Sequence, residues 1–312
     1  MAPFVRFVVL TWLLPCCCVC AAGSVQYDIR FDATWSAGTH AGAYPAGAHF
    51  SPLWMTSHNQ NVSFWQPGGA ASDAIQQMAE TGGTSLLNNE FSAALNAGDV
   101  HDLDIGSGIS SPGDVTGRVF VATSHSRITV VTMVAPSPDW FVGVDSLNFW
   151  DTDHWIESLA VELHAYDAGT DSGTSFTSPN ADTNPREPIT LLGAPLAGTP
   201  PLGTFTFTLR PPLPGDTNGD DKVNIDDLGN VRNTFGTIGP PGGGQPGDTY
   251  PFDGVVDVDD LNAVRNNFGL TRAAVPEPTG LTLAAIAACC GLSRFRKRPK
   301  NSLQAAARAA NV

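Results

Sequence analysis

Cysteine is missing from the body of this 312-residue chain. Cys16, Cys17, Cys18 and Cys20 lie near its start, Cys289 and Cys290 near its end, and none falls between. A disulfide framework is therefore excluded for the middle of the chain, which must be held by its own core or by metal. Basic residues are scarce as well. From Ser24 to Gly280, nine Lys and Arg stand against thirty Asp and Glu, a net charge of −21. Such a surface excludes nucleic acid as a partner, because phosphates need basic groups opposite them. Carboxylates at this density repel one another unless cations neutralise some of them. Halophily or plain solubility explains the composition equally well, so the spacing of the acids carries more weight than their number.

Catalytic patterns are also lacking. Ser124-His125-Ser126 and Ser57-His58 sit in strand-like or loop segments without a Gly-x-Ser-x-Gly turn. His40, His49 and His58 recur every nine residues, a spacing that no single element aligns for zinc. Thirty acids make any one carboxylate pair uninformative as a glycosidase signature. The expectation is a protein with no catalytic activity of its own.

What is present is ordered along the chain. Residues 1–23 carry Arg6, an apolar run over 7–14 and the small residues Ala21-Ala22-Gly23, the layout of a secretory signal peptide. From 24 to 210, short β-rich segments alternate with Gly/Pro/Ser-rich joints. Gln26-Tyr27-Asp28-Ile29-Arg30-Phe31 alternates, residues 119–122 and 127–134 are β-rich, and residues 204–209 alternate Thr with Phe or Leu. This predicts a mainly β domain, an antiparallel β-sandwich. One helix is expected inside it: Ala71, Ile75, Met78 and Ala79 share a face between a Ser72 cap and a stop at Gly82-Gly83. Trp54, Trp65 and Trp140 are either exposed ligand contacts or core aromatics.

Pro211-Pro212-Leu213-Pro214 is a stiff joint, and residues 211–272 form a second, smaller unit with an internal repeat. Residues 226–236 return as 259–269, offset by 33, with eight of eleven positions identical. In each copy Leu, Val and Phe fall at i, i+3 and i+7, one face of a short helix closed by Gly.

The residues before each helix bear on calcium, which takes six to eight hard oxygen ligands. A twelve-residue loop supplies them from positions 1, 3, 5, 7, 9 and 12. In residues 216–227 these are Asp216, Asn218, Asp220, Lys222 through its carbonyl, Asn224 and Asp227. In the second copy Asp260 at 12, Asp257 at 9 and Asp253 at 5 fit, but Pro251 and Thr249 occupy 3 and 1, and Asp248 stands one residue too early. Two readings stay open: an insertion returns Asp248 to the ion, or the second site is weak or empty. The loop with its Asp-Leu-x-x-Val-Arg-x-x-Phe-Gly helix, repeated, resembles a type I dockerin. That resemblance implies a small α pair of calcium loop-helix units and docking onto a cohesin-like module.

Turns of the larger domain hold Ser137-Pro138-Asp139-Trp140-Phe141-Val142-Gly143-Val144 and Tyr166-Asp167-Ala168-Gly169-Thr170-Asp171-Ser172-Gly173. Asp167 and Asp171 are close enough in sequence to share an ion, whereas Asp139 needs the fold to bring it near. With Gly47-Ala48-His49-Phe50-Ser51-Pro52-Leu53 and Trp65-Gln66-Pro67-Gly68-Gly69-Ala70-Ala71-Ser72, these segments resemble the spondin N domain. The resemblance implies a C2-like β-sandwich of spondin type with a calcium ion held at one end by Asp139, Asp167 and Asp171. The family's animal members are extracellular matrix adhesion proteins with disulfides, which this body cannot form.

Val275-Pro276-Glu277-Pro278, an apolar stretch over 281–292 and the basic cluster Arg294, Arg296, Lys297, Arg298 and Lys300 resemble, over 275–300, a PEP-CTERM sorting signal. This implies exosortase processing and transient membrane anchoring. The sequence thus predicts an exported calcium-binding protein of the cell surface or extracellular space that binds an extracellular polymer or cell-surface ligand. The alternative is an accessory component of a polysaccharide-degrading assembly, attached through its repeat.

Overall fold

In the computed structural model the described residues are 24–242 and 245–272. The signal-peptide and sorting-signal expectations lie outside them. Among the described residues fourteen strands and four helices follow one another: β1 (Val25–Ala33), β2 (His49–Phe50), β3 (Trp54–His58), α1 (Asp73–Thr81), α2 (Ser85–Ala97), β4 (Val100–Ile105), β5 (Ile109–Ser110), β6 (Gly113–Val121), β7 (Arg127–Ala135), β8 (Trp140–Asn148), β9 (Trp150–Asp151), β10 (His154–Trp155), β11 (Ser158–Leu163), β12 (Tyr166–Asp167), β13 (Thr190–Leu191), β14 (Gly203–Arg210), α3 (Ile225–Thr234) and α4 (Val258–Asn267).

The alternation in β1 sets the first layer. Tyr27, Ile29 and Phe31 point inward while their neighbours face out, and Phe205 and Phe207 of β14 do the same opposite them. The sheet runs β11-β14-β1-β6, all antiparallel. The second sheet is built around β7 and β8, with β12 and β13 on one side, β2 and β5 on the other, and β3 and β4 joined through β7. Phe50, Val130, Trp140 and Val142 from this sheet close the core against Tyr27, Phe31 and Phe207.

β7 is buried on both faces, which explains why its sequence reads as a continuous apolar run rather than an alternation. Ile128, Val130 and Val134 enter the sandwich core, whereas Val131 and Met133 meet Ile75 and Met78 of α1 on the far side. Burying side chains of this size contributes about 1.5–3 kcal/mol each. Helix α1 has the expected ends: the Ser72 hydroxyl accepts from the Ile75 amide at 3.2 Å, and Gly82 stops the helix with φ of 70°.

A second helix, α2, was not expected. Its Leu87, Phe91 and Ala94 lie at helical spacing and pack on α1 and the sheet. Trp54, Trp65 and Trp140 are all core residues, so the reading of them as exposed ligand contacts is corrected. The Trp54 indole donates to Asn88 Oδ1 of α2 at 3.0 Å.

In the repeat, the expected apolar face is only partly right. Val231 and Val264 are buried, with Leu228 and Leu261 beside them, but Phe235 and Phe268 lie just past their helices and are more than half exposed. Val223 and Val256, contributed by the loops, complete the small core instead. The two copies are joined reciprocally. Gly236 donates to the Val256 carbonyl and Gly269 to the Val223 carbonyl, at 2.7 and 2.8 Å. Each copy therefore closes on the other's loop. Described residues as far as Thr271 fall in one compact unit.

Candidate functional site

The strongest candidate in the sandwich is the end where β8 begins. The Ser137 hydroxyl accepts from the Trp140 amide at 3.1 Å, turning the chain so that Asp139 points inward immediately before the strand. Asp139 is fully buried. Its Oδ2 accepts from the amides of Thr170 and Asp171 at 2.7 and 3.0 Å and from the Thr170 hydroxyl at 3.2 Å. Its Oδ1 is buried without any partner. A buried polar atom left this way costs about 1–3 kcal/mol, more when charged, and calls for an explanation such as an ion or an ordered water.

β12 brings Asp167 to the same place, because it pairs with β8 so that Asp167 lies opposite Trp140. Asp167 Oδ1 accepts from Gly169 N at 2.8 Å. The turn that follows needs glycine: Gly169 has φ of 72°, and a Cβ there would strike the Glu187 carbonyl. Asp171, nearly buried, accepts from the amides of Gly173 at 2.7 Å and Ala181 at 2.8 Å. Burial, aided by the Asp167 charge, pushes the Asp139 carboxyl up to about 6. Asp167 is also raised, first by burial and then by the charges of Glu187 and Asp171. Asp139, Asp167 and Asp171 thus stand in one charge cluster, which the fold assembles across 32 residues.

The donor set is all hard oxygen, and carboxylate oxygens that already accept one amide keep a second lone pair. Among the described residues no three His, Cys, Asp or Glu side chains are grouped closely enough to hold an ion unaided. A cation at this end would take carbonyl, hydroxyl or water ligands as well.

The loops of the repeat are built from local hydrogen bonds. In the first, Asp216 accepts from Gly219 N at 2.7 Å and Asp221 N at 2.9 Å, Asn218 from Asp220 N, and Asp220 from Lys222 N. Asn224 accepts from Asp226 N as the N-cap of α3, while Asp227 takes Thr217 N with one oxygen and Asn224 N with the other. Seven loop amides are thus held by the side chains at positions 1, 3, 5, 9 and 12. The sharp turn at position 6 falls on Asp221 with φ of 61°. Asp216 is buried and pushed up to about 6, mainly by desolvation.

The second loop repeats the pattern with one difference. Asp260 takes Thr249 N and Asp257 N as Asp227 takes Thr217 N and Asn224 N. Asp253 accepts from Val255 N as Asp220 does from Lys222 N, and Asp257 caps α4. These equivalences align Asp248, not Thr249, with Asp216. Asp248 Oδ2 accepts from Gly254 N at 2.9 Å, and Gly254 holds the position-6 turn with φ of 85°. Asp248 thus stands near Asp260 and Asp253, whose charges bear on it, although its offset of one residue hides it from a count along the sequence.

The alternative constellations do not come together. His40, His49 and His58 bond to Pro200, Gly47 and Asn59 carbonyls respectively. Ser57 is buried between the Phe120 carbonyl and the Asp102 amide. Ser124 meets His125 at 2.9 Å, but the other ring nitrogen bonds the Gly98 carbonyl.

A Spondin_N family model matches residues 25–198, more than half of the chain. The chain belongs to the Spondin_N family. Within it, Spondin-2 of Homo sapiens is 36% identical over 178 residues, covering 55% of this chain and 54% of that protein. Spondin-2 of Rattus norvegicus is 32% identical over 202 residues, covering 63% and 61%. Spondin-1 of Rattus norvegicus is 31% identical over 221 residues, covering 66% of this chain but 27% of the relative. The chain therefore spans between about a quarter and three fifths of these relatives. The Spondin_N match contains Asp139, Asp167 and Asp171 and ends before the repeat. Among the described residues no helix is long and apolar enough to cross a membrane.

Proposed function

We propose that this Spondin_N protein is an exported, calcium-dependent adhesion-type protein with no catalytic activity of its own. Asp139, Asp167 and Asp171 would hold a calcium ion at one end of the sandwich, and the ion would fix loops that contact an extracellular polymer or cell-surface ligand. The observation that carries this reading is the buried, partnerless Oδ1 of Asp139 beside a second raised carboxyl, Asp167. A divalent cation neutralises the cluster and fills the open valence in one step. In the repeat, Asp216, Asn218, Asp220, the Lys222 carbonyl, Asn224 and Asp227 would bind a further ion. Processing by an exosortase at the C-terminal signal would leave the protein at the cell surface or outside it.

The test is retention of the full chain on immobilised glycans and matrix polymers in calcium and in chelator. Retention in calcium that disappears in chelator and in Asp139→Asn supports the reading. Equal retention in both conditions refutes it.

A second reading has its own observation. Ile225 and Val258, at equivalent places in the two copies, are 65% and 54% exposed, and Phe235 and Phe268 are exposed as well. Apolar side chains in matched pairs suit docking to another module. The repeat would then attach the protein to a cohesin-like partner within a polysaccharide-degrading assembly. A pull-down with a cohesin module in calcium decides between them: capture favours this reading, and retention on polymers without capture favours the first.

A further inference from the structure

The second loop carries three residues, Tyr250-Pro251-Phe252, between Thr249 and Asp253, where the first loop has only Asn218 and Gly219 between Thr217 and Asp220. The side-chain ligand of position 3 is thereby lost. The inserted residues pack elsewhere: Phe252 is buried and belongs to the sandwich core cluster that contains Tyr27 and Phe149, and Tyr250 packs against the same cluster. Their rings meet each other edge to face at 5.7 Å. The Phe252 carbonyl accepts from Gly242 N at 2.7 Å. A Cβ at Gly242 would strike Trp150 and Thr123 of the sandwich, so this strand of the linker is also pressed onto it.

The insertion is anchored at both ends by residues of the loop's acidic cluster. Upstream lies Asp248, 1% exposed, whose Oδ1 is buried with no partner while Oδ2 holds Gly254 N. Downstream lies Asp253, which holds Val255 N. Burial, aided by the charges of Asp260 and Asp253, pushes the Asp248 carboxyl up to about 7. In the first loop Asp216 has no such orphaned oxygen, because Gly219 N and Asp221 N take one oxygen each.

From this we propose that the second loop is a thirteen-residue calcium site headed by Asp248, with Asp253, Asp257 and Asp260, in which the segment Tyr250-Pro251-Phe252, one residue longer than its counterpart, is a plug seated on the sandwich. Binding of the ion and seating of the plug are one coupled event. The cation draws Asp248 and Asp253 together and so fixes the two ends of the insertion. The seated plug in turn holds those carboxylates in place before the ion arrives, offsetting the missing position-3 ligand. The repeat is then latched to the sandwich through its second loop, leaving the exposed Ile225 and Val258 pair turned elsewhere. This inference rests on the reading that the repeat binds calcium.

The experiment uses the full chain with calcium alone as probe. Calorimetric titration of wild type, Asp216→Asn, Asp248→Asn and Phe252→Ala is combined with limited proteolysis of the 211–214 joint in calcium and in chelator. Asp248→Asn keeps the acceptor for Gly254 N and so preserves the fold. Each Asn variant is expected to lose one calcium. Phe252→Ala is expected to keep the full number but to bind the second-loop ion on the order of tenfold more weakly, a coupling of ordinary size, and to leave the joint cleavable in calcium. If Asp216→Asn loses an ion and Asp248→Asn does not, the second-loop proposal falls while the reading of the repeat stands. If neither loses one, both fall. If Phe252→Ala leaves affinity and cleavage unchanged, the coupling is refuted.

Discussion

Substituting Asp139 by Asn separates a metal ligand from a merely structural buried acid, because the two roles predict opposite responses to calcium. Without calcium the native carboxylate is penalised. Raising it to about 6 corresponds to on the order of 3 kcal/mol against the folded state at neutral pH. Asn removes that penalty and keeps an oxygen for Thr170 N and Asp171 N. It introduces an amide NH2 where Oδ1 has no partner, costing about 1–3 kcal/mol, and weakens two charge-assisted bonds. These terms nearly cancel, so the variant in chelator should match wild type within about 1–2 kcal/mol. In calcium the balance changes. At a free concentration one hundred times the dissociation constant, wild type gains about 2.7 kcal/mol at this site and the variant gains nothing. Urea unfolding followed by tryptophan emission, with Trp140 adjacent to the site, measures both. The decisive quantity is the calcium-induced gain of wild type minus that of Asp139→Asn, which cancels the contribution of the repeat. A difference near zero would refute Asp139 as a ligand. A variant strongly destabilised already in chelator would refute the cancellation worked out above, because it would mean that the 170–171 turn needs the charge as well as the acceptor oxygen.

Three further outcomes follow from the same geometry. In chelator the protein should become more stable as pH falls from 7.5 to 5.5, since Asp139 and Asp216 at about 6 and Asp248 at about 7 hold protons that the unfolded chain has released. His58 and His101, both lowered by burial, give a slope of opposite sign with or without calcium, so the calcium-dependent part of the slope isolates the carboxylates, and its absence would count against their burial. Gly169→Ala places a side chain at φ of 72° against the Glu187 carbonyl and should cost roughly 1–3 kcal/mol, with calcium affinity of the sandwich falling too; an unchanged melting point would contradict the turn. Val231→Ala opens a cavity in a core centred on four valines and should cost about 2 kcal/mol, weakening calcium binding at both loops because each copy closes on the other. A loss confined to the first loop would refute that reciprocity.

The parts of this fold that are legible in sequence are those whose information is local. Tyr27, Ile29 and Phe31 alternate because one face of β1 meets water, and Ser72 and Gly82 punctuate α1 by their own backbone chemistry. Helix α2 is poorly legible in sequence because Ser85, Asn88, Asn89 and Ser92 dilute its apolar pattern. The spacing of Leu87, Phe91 and Ala94 was nevertheless there to be counted. Phe235 and Phe268 mislead for the opposite reason: their spacing fits a helical face, but the chain leaves the helix just before them and the loop valines fill the core. In the first loop of the repeat, side chain and amide are neighbours in sequence, so counting positions suffices.

Long-range placement is where counting stops. That Asp139 meets Asp167 depends on the pairing of β12 with β8, which no spacing encodes; only the family resemblance pointed to it. Asp248 is the sharper case, since an insertion conceals its place and a fixed twelve-residue count assigns position 1 to Thr249. The hydrogen bonds restore the alignment, because Thr249 stands to Asp260 as Thr217 stands to Asp227. The longer segment leaves the bonds of Asp253, Asp257 and Asp260 in place and buries its own aromatic residue in a neighbouring core. The two copies therefore differ in build: the first has an oxygen-bearing side chain at positions 1, 3, 5, 9 and 12, whereas the second replaces the one at position 3 with a segment that packs on the sandwich.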